Sequence, residues 1–203
     1  MKKLFSHIKF NAPVTLSFVM VCGLALLLNK ITAGWANNHL FCTYRSGLLN
    51  PFTYVRAFGH TIGHAGWAHF AGNMTYILLL GPLVEEKYGS RNLLEMMGIT
   101  AVVTAILHAL LCPGIRLLGA SGIVFMLIIL SSISNVKSGE IPITFIIICV
   151  IFIGGQILDS FHVDNISQLG HIAGGTCGGC FGLFLRGQEK DELISKDRDY
   201  MAS

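Results

Sequence analysis

The sequence predicts an all-α membrane protein, a bundle of six transmembrane helices with both termini in the cytoplasm. Three observations carry that prediction. The 203 residues are 53% hydrophobic and only 12% charged, against about 25% charged in soluble domains. The charges leave six long uncharged stretches, at residues 10–29, 57–84, 96–115, 117–136, 141–158 and 165–185, and about 20 apolar residues suffice for one helical crossing. Finally, lysine and arginine are unevenly shared between alternate connections. With a cytoplasmic N-terminus, ten fall inside (Lys2, Lys3, Lys9, Lys87, Arg91, Lys137, Arg186, Lys190, Lys196 and Arg198) and four outside (Lys30, Arg45, Arg56 and Arg116), as the positive-inside rule requires.

Residues 1–9 form a short basic cytoplasmic tail. The first span, 10–29, has a basic start and an apolar run, as a signal peptide does. It is nearly as long as a full crossing and lacks a small-x-small cleavage site, so it reads as a retained helix with Pro13 near its start. Residues 30–66 read as a long outside loop. Trp35, Phe41, Tyr44, Phe52, Tyr54, Phe58 and the following Trp67 suit the bilayer interface, so the loop is expected to lie on the membrane.

The second span covers about 67–84, and Glu85 to Arg91 form a short cytoplasmic turn. The third covers 93–111 and ends at Pro113 and Gly114. The fourth begins near Ser121 and ends near Asn135; the fifth covers 142–158. An outside loop over 159–168 precedes the sixth span at 169–185. The tail from Arg186 is highly charged and is expected to be mobile. The domain organisation is thus a tail at 1–9, one transmembrane domain at 10–186 and a charged cytoplasmic tail at 187–203.

The net charge of +3 contains no basic cluster that would serve nucleic acid. The cysteines do not form a disulfide framework: Cys22, Cys149, Cys177 and Cys180 fall within spans, while Cys42 and Cys112 lie outside and could pair. Cys177-Gly-Gly-Cys180 has redox or metal spacing but no second pair of ligands, and reads as small packing residues. No metal and no small-molecule cofactor is expected.

Polar groups in hydrocarbon are costly and mark function. Ser121 lies in Gly119-Ala120-Ser121-Gly122, His171 in Gly170-His171-Ile172-Ala173-Gly174, and His69 and Asn73 share one face of the second span at i, i+4. All three spans enter from the outside, so these groups sit at one depth. Gly-x-Ser-Gly alone is equally a packing motif, and His171 alone could be structural. Glycines at 170, 174, 178 and 182 change the balance: such a stripe lets the fourth span approach at backbone distance and brings the imidazole to the hydroxyl, as a general base requires. A nucleophile at a helix N-terminus also sees free N–H groups suited to an oxyanion. His69 and Asn73 add donors, or else simply tie two helices together. His64, a turn earlier, would support them. His60 and His162 read as interfacial. Asp159 and Asp164 read as solvated loop residues, leaving a Ser–His dyad rather than a triad.

With these residues in place the chain resembles the rhomboid intramembrane serine proteases. His69-x-x-x-Asn73, Gly119-x-Ser121-Gly122 and Gly170-His171-x-x-Gly174 occur on six spans in that family's order, over about residues 10–186. Arg56 matches its first-loop arginine and Glu85 its glutamate after the second span. The resemblance implies Ser121 as nucleophile and His171 as base, with His69, Asn73 and the Ser121 N–H as oxyanion hole. It also implies transmembrane-protein substrates cut near the outer face, and a lateral gate at the fifth span. Two positions depart: Val55 replaces a tryptophan, and Phe125 replaces a tyrosine that lies against the histidine. The compact form looks bacterial, which places the chain in the cytoplasmic membrane. A catalytically silent relative that binds transmembrane segments is the alternative. A transporter would need a polar path to the cytoplasmic face and inverted repeats, and a metalloprotease would need His-Glu-x-x-His; neither is evident.

Overall fold

A proline opens the first helix, α1 (Pro13–Ile31), at the position where a missing N–H costs nothing. The computed structural model describes residues 10–133, 143, 146–147, 150–151 and 168–202, the last segment with side chains to residue 185. Two short helices follow α1: α2 (Trp35–His39) and α3 (Pro51–Gly59), the latter capped by Asn50, whose Oδ1 accepts the Phe52 N–H at 3.0 Å. Four longer helices complete the described chain: α4 (Trp67–Tyr88), α5 (Ser90–Leu111), α6 (Ser121–Ile133) and α7 (Gln168–Ala202). Among the described residues the β-structure is a single bridge, Thr43 with Leu117.

The helices form an all-α bundle. α1 and α5 are each long and apolar enough to cross a membrane. Large apolar side chains such as Leu24, Leu79, Leu110 and Leu183 point outward, as suits a hydrocarbon solvent. The core gathers Met74 and Ile77 of α4, Met96 and Met97 of α5, and Ile123, Met126, Leu127 and Leu130 of α6. The most extensive packing is α6 against α7; α5 backs α7, α1 lies on α4, and α4 lies on α6.

Glu85 ties the bundle together at one end. Ala12 offers α1 no side-chain cap. Instead the carboxylate of Glu85, reaching from α4, accepts the N–H of Val14 at 2.8 Å, the N–H of Thr15 at 2.9 Å, the Thr15 hydroxyl at 2.8 Å and the Ser90 hydroxyl at 2.8 Å. Pro13 has no N–H, and the Leu16 N–H returns to Ala12 O, so every donor of the first turn is accounted for. The negative charge also sits at the positive end of the helix. Alongside, a Cβ on Gly81 would lie 2.7 Å from Thr15 Cγ2; α1 and α4 touch there.

Several expectations need correction. The stretch 30–66 is not a plain loop: it carries α2 and α3. Buried Arg56 closes it, with Nη1 donating to the Tyr44 hydroxyl at 3.1 Å, Nη2 to Ser46 Oγ at 2.9 Å, and the guanidinium 4.4 Å from the Tyr44 ring centroid. The turn after the second span shrinks to Gly89, at φ +85°, because helix continues through Glu85 to Tyr88. The tail after Arg186 is helical to Ala202; its leucine, glutamate, lysine and arginine residues are good helix formers. Cys42 and Cys112 are free thiols. Most of the expected fifth span, and the following loop with Asp159, His162 and Asp164, lie outside the described residues.

His60 is not interfacial but buried: its Nε2 donates to Ala101 O of α5 at 3.1 Å. His64, fully buried, donates from Nδ1 to Ile62 O at 3.1 Å. In each ring the carbonyl acceptor fixes which nitrogen carries the proton. Burial pushes both imidazoles from 6.5 down to about 4, so both are neutral in the folded protein. A neutral state held against protonation makes the unfolded chain bind more protons between those values. Stability from these groups is present above about pH 6.5 and is lost as pH falls toward 4.

Two outcomes are expected. Glu85→Gln keeps the shape but turns an amide NH2 donor toward a ring of donors, and should cost about 1.5–3 kcal/mol; its thermal midpoint in detergent should fall well below that of Glu86→Gln, which alters an exposed neighbour. Equal midpoints would dismiss the cap. Unfolding measured from pH 7.5 to 5 should show stability falling on acidification, with a shallower slope in His64→Leu; a flat profile would contradict the neutral burial.

Candidate active site

The turn before α6 is held from behind. Thr43 and Leu117 exchange both backbone hydrogen bonds at 2.9 Å, and the Gly119 N–H donates to His60 O at 2.8 Å. Buried His60 is itself fastened to α5, so the segment leading into the helix is anchored to two other parts of the molecule. Gly119 has φ +124°, a conformation that favours glycine. A Cβ there would also lie 2.7 Å from Cε1 and Nε2 of His69 and 3.6 Å from Nδ2 of Asn73. Glycine is therefore required twice, by the backbone and by the side chains over it.

Ser121 is the first residue of α6. The first bond of that helix is Val124 N–H to Ala120 O, so the N–H groups of Ser121, Gly122 and Ile123 precede the helical ladder. α7 meets α6 at backbone distance. A Cβ on Gly174 would overlap the Gly122 carbonyl, lying 2.7 Å from its carbon; one on Gly178 would come within 3.0 Å of Met126 Cα; one on Gly182 would meet Ile133 at 3.3 Å. Facing it, Gly122 lies against Gly170 O. The stripe read in the sequence is thus the α6–α7 interface.

That approach places His171 Nε2 2.9 Å from Ser121 Oγ. The Phe125 ring, one turn after Ser121, stacks on the imidazole with centroids 4.5 Å apart and planes 4° from parallel. It fixes the plane of the ring without a hydroxyl. Across the site, His69 and Asn73 line the same cavity as Ser121 and His171, a space of about 580 Å³. Asn73 is buried, and its Nδ2 has no partner among the described residues. A buried amide donor left open is costly unless something accepts it. His64 stands behind rather than in the cavity: its ring meets His69 edge-on at 5.1 Å and Phe70 at 5.5 Å.

The proposed site residues lie in or against one cavity: Ser121, His171, His69 and Asn73 on its wall, Phe125 stacked on the imidazole, Gly119, Gly122 and Gly174 as close-approach points, and His64 as backing; Arg56 and Glu85 are not in its lining. Among the described residues no carboxylate lines it. Sequence reading missed the anchoring role of His60. Its spacing of four from His64 was the available signal. It also missed the rest of the wall, where Ala68, Gly72 and Tyr76 extend one face of α4 and Arg116 stands at the edge. Chemically, a hydroxyl bonded to an imidazole acceptor, beside open N–H donors, can attack a carbonyl carbon and hold the resulting oxyanion.

Residues 51–188 match the Rhomboid domain. The chain is similar to Rhomboid-related protein 1 of Caenorhabditis elegans, 33% identical over 146 residues, covering 66% of this chain and 40% of that protein. It is also similar to the Rhomboid protease GluP of Bacillus subtilis (strain 168), 27% identical over 190 residues, covering 90% of this chain and 36% of that protein. The chain thus spans about two-fifths of the length of these relatives. With the domain match extending over most of its length, the chain belongs to the rhomboid family of integral membrane proteins.

Proposed function

We propose that the chain is an intramembrane serine endopeptidase that cleaves transmembrane protein substrates near the outer membrane face. The observation that carries this reading is the 2.9 Å contact between Ser121 Oγ and His171 Nε2 inside a cavity that His69 and Asn73 also line. In support, a relative similar over 90% of this chain is a rhomboid protease. The topology proposed with it is six spans with both termini cytoplasmic, in a bacterial cytoplasmic membrane.

His171 Nε2 takes the hydroxyl proton as Ser121 Oγ bonds to the substrate carbonyl carbon. The oxyanion is held by His69, Asn73 and the Ser121 N–H. His171 then gives its proton to the leaving amine nitrogen as the peptide bond breaks. A water, deprotonated by the same nitrogen, attacks the acyl-enzyme; the ester bond breaks, the proton passes to Ser121 Oγ, and a carboxylic acid product departs and loses its own proton to water. No carboxylate lines the cavity among the described residues; the stacked Phe125 ring and the close α6–α7 contact help to orient the imidazole. Substrate would enter from the side of the bundle, where the fifth span is the proposed gate.

Purified protein in detergent should cut a model transmembrane substrate, and Ser121→Ala and His171→Ala should not. Ser121 in the parent should react with a serine-directed fluorophosphonate probe. Cleavage surviving in Ser121→Ala would refute the nucleophile. A parent that neither cleaves nor labels would shift the reading to a silent binder of transmembrane segments. Asn73→Ala should lower kcat by about 10²–10³ while leaving the thermal midpoint near the parent; an unchanged kcat would remove Asn73 from the oxyanion hole.

A further inference from the structure

We propose that Arg116 is a specificity determinant that selects substrates carrying an acidic side chain near the scissile bond; this rests on the protease reading above. Arg116 lines the same cavity as Ser121 and His171, and it is the one Lys, Arg, Asp or Glu among the described residues that do so. The remaining wall is largely apolar and includes Leu118, Val124 and Ile128. An arginine at such a wall, exposed itself, is a recognition element for an anion held against it, and its field is open to screening by salt.

The side chain is pre-positioned rather than loose. Its Nη1 donates to Asn38 Oδ1 at 2.6 Å, and its guanidinium lies 5.5 Å from the Tyr44 ring centroid. Its backbone is equally constrained: the next residue, Leu117, exchanges two 2.9 Å hydrogen bonds with Thr43, and Gly119 is bonded to His60. Asn38 engages one nitrogen from outside the cavity lining, and no acidic side chain pairs with the guanidinium among the described residues. The planar fork retains donors in the geometry that accepts a carboxylate. An organised, exposed guanidinium on a residue that lines the same cavity as Ser121, with no acidic partner among the described residues, has the chemistry of a subsite for an anion.

The reach sets the position of the acid. Arg116 precedes Ser121 by five residues, and an extended chain advances at most about 3.6 Å per residue. The favoured Asp or Glu therefore lies within about five residues of the cleaved bond. Arg116→Lys would keep the charge and lose the fork.

The test is a set of transmembrane substrates, identical except for one Asp moved through the five positions on either side of the cleavage site, each paired with its Asn counterpart. The readout is the Asp/Asn ratio of kcat/KM in zwitterionic detergent. The parent should favour Asp about tenfold at one position, equal to about 1.4 kcal/mol, and the preference should shrink in high salt. Arg116→Ala should bring the ratio to about one, and Arg116→Glu should invert it while favouring Lys at that position. A parent ratio near one at every position overturns the proposal. So does a preference that persists in Arg116→Ala, or a loss of rate that falls equally on Asp and Asn substrates. If the parent cuts none of them and Ser121 does not label, it is the protease reading that fails, and the subsite with it.

Discussion

The close approach of α6 and α7 is the constraint on which the site depends. A side chain at Gly174 would overlap the Gly122 carbonyl, and one at Gly178 would crowd Met126. In lipid there is little hydrophobic gain from joining two apolar helices, so small residues that allow backbone contact supply the association. The distance from His171 Nε2 to Ser121 Oγ is a consequence of that contact. A methyl group at Gly174, 2.7 Å from the Gly122 carbonyl carbon, would force the two backbones apart and stretch the His171–Ser121 hydrogen bond. The same residues therefore serve packing and chemistry, and a substitution at Gly174 would damage both together.

The second requirement is a rigid approach to Ser121. Three ties supply it from parts of the chain distant in sequence: Thr43 to Leu117, His60 to Gly119, and His69 lying over Gly119. His60 is in turn bonded to α5. The stretch that joins α1 to α4 is thus a buttress. Its histidines pay for burial by remaining neutral, and Arg56, which cannot, places Nη1 and Nη2 on Tyr44 and Ser46. At the other end of the bundle Glu85 caps α1 from α4, the helix whose His69 and Asn73 line the cavity.

The polar groups are distributed economically. His171 is matched with Ser121, while Asn73 carries a buried donor with no partner among the described residues. Under the proposed mechanism that open donor is useful, since it is satisfied when charge develops on the substrate oxygen and not before. Interactions stronger in the transition state than in the ground state are those that accelerate a reaction. The stacked Phe125 ring adds a flat contact that holds the plane of the imidazole.

By itself the sequence determined the class of the molecule and picked out the residues that the fold gathers at the candidate site. Long uncharged stretches admit only helices in a bilayer, and a glycine every four residues marks one face of one helix; both are local, periodic signals. Ser121, His171, His69 and Asn73 were legible because each is a polar exception on an apolar background. Tertiary structure decided what no periodicity encodes. His60 looks interfacial in sequence and is buried, because the α5 carbonyl that receives it is 41 residues away. Glu85 looks like a turn residue and is a cap, because the donors it satisfies belong to α1, 70 and 71 residues earlier. Arg116 looks like one more outside charge and stands at the edge of the cavity. In each case the partner is remote along the chain, and only the folded arrangement brings the two within the few ångströms over which hydrogen bonds and charges act.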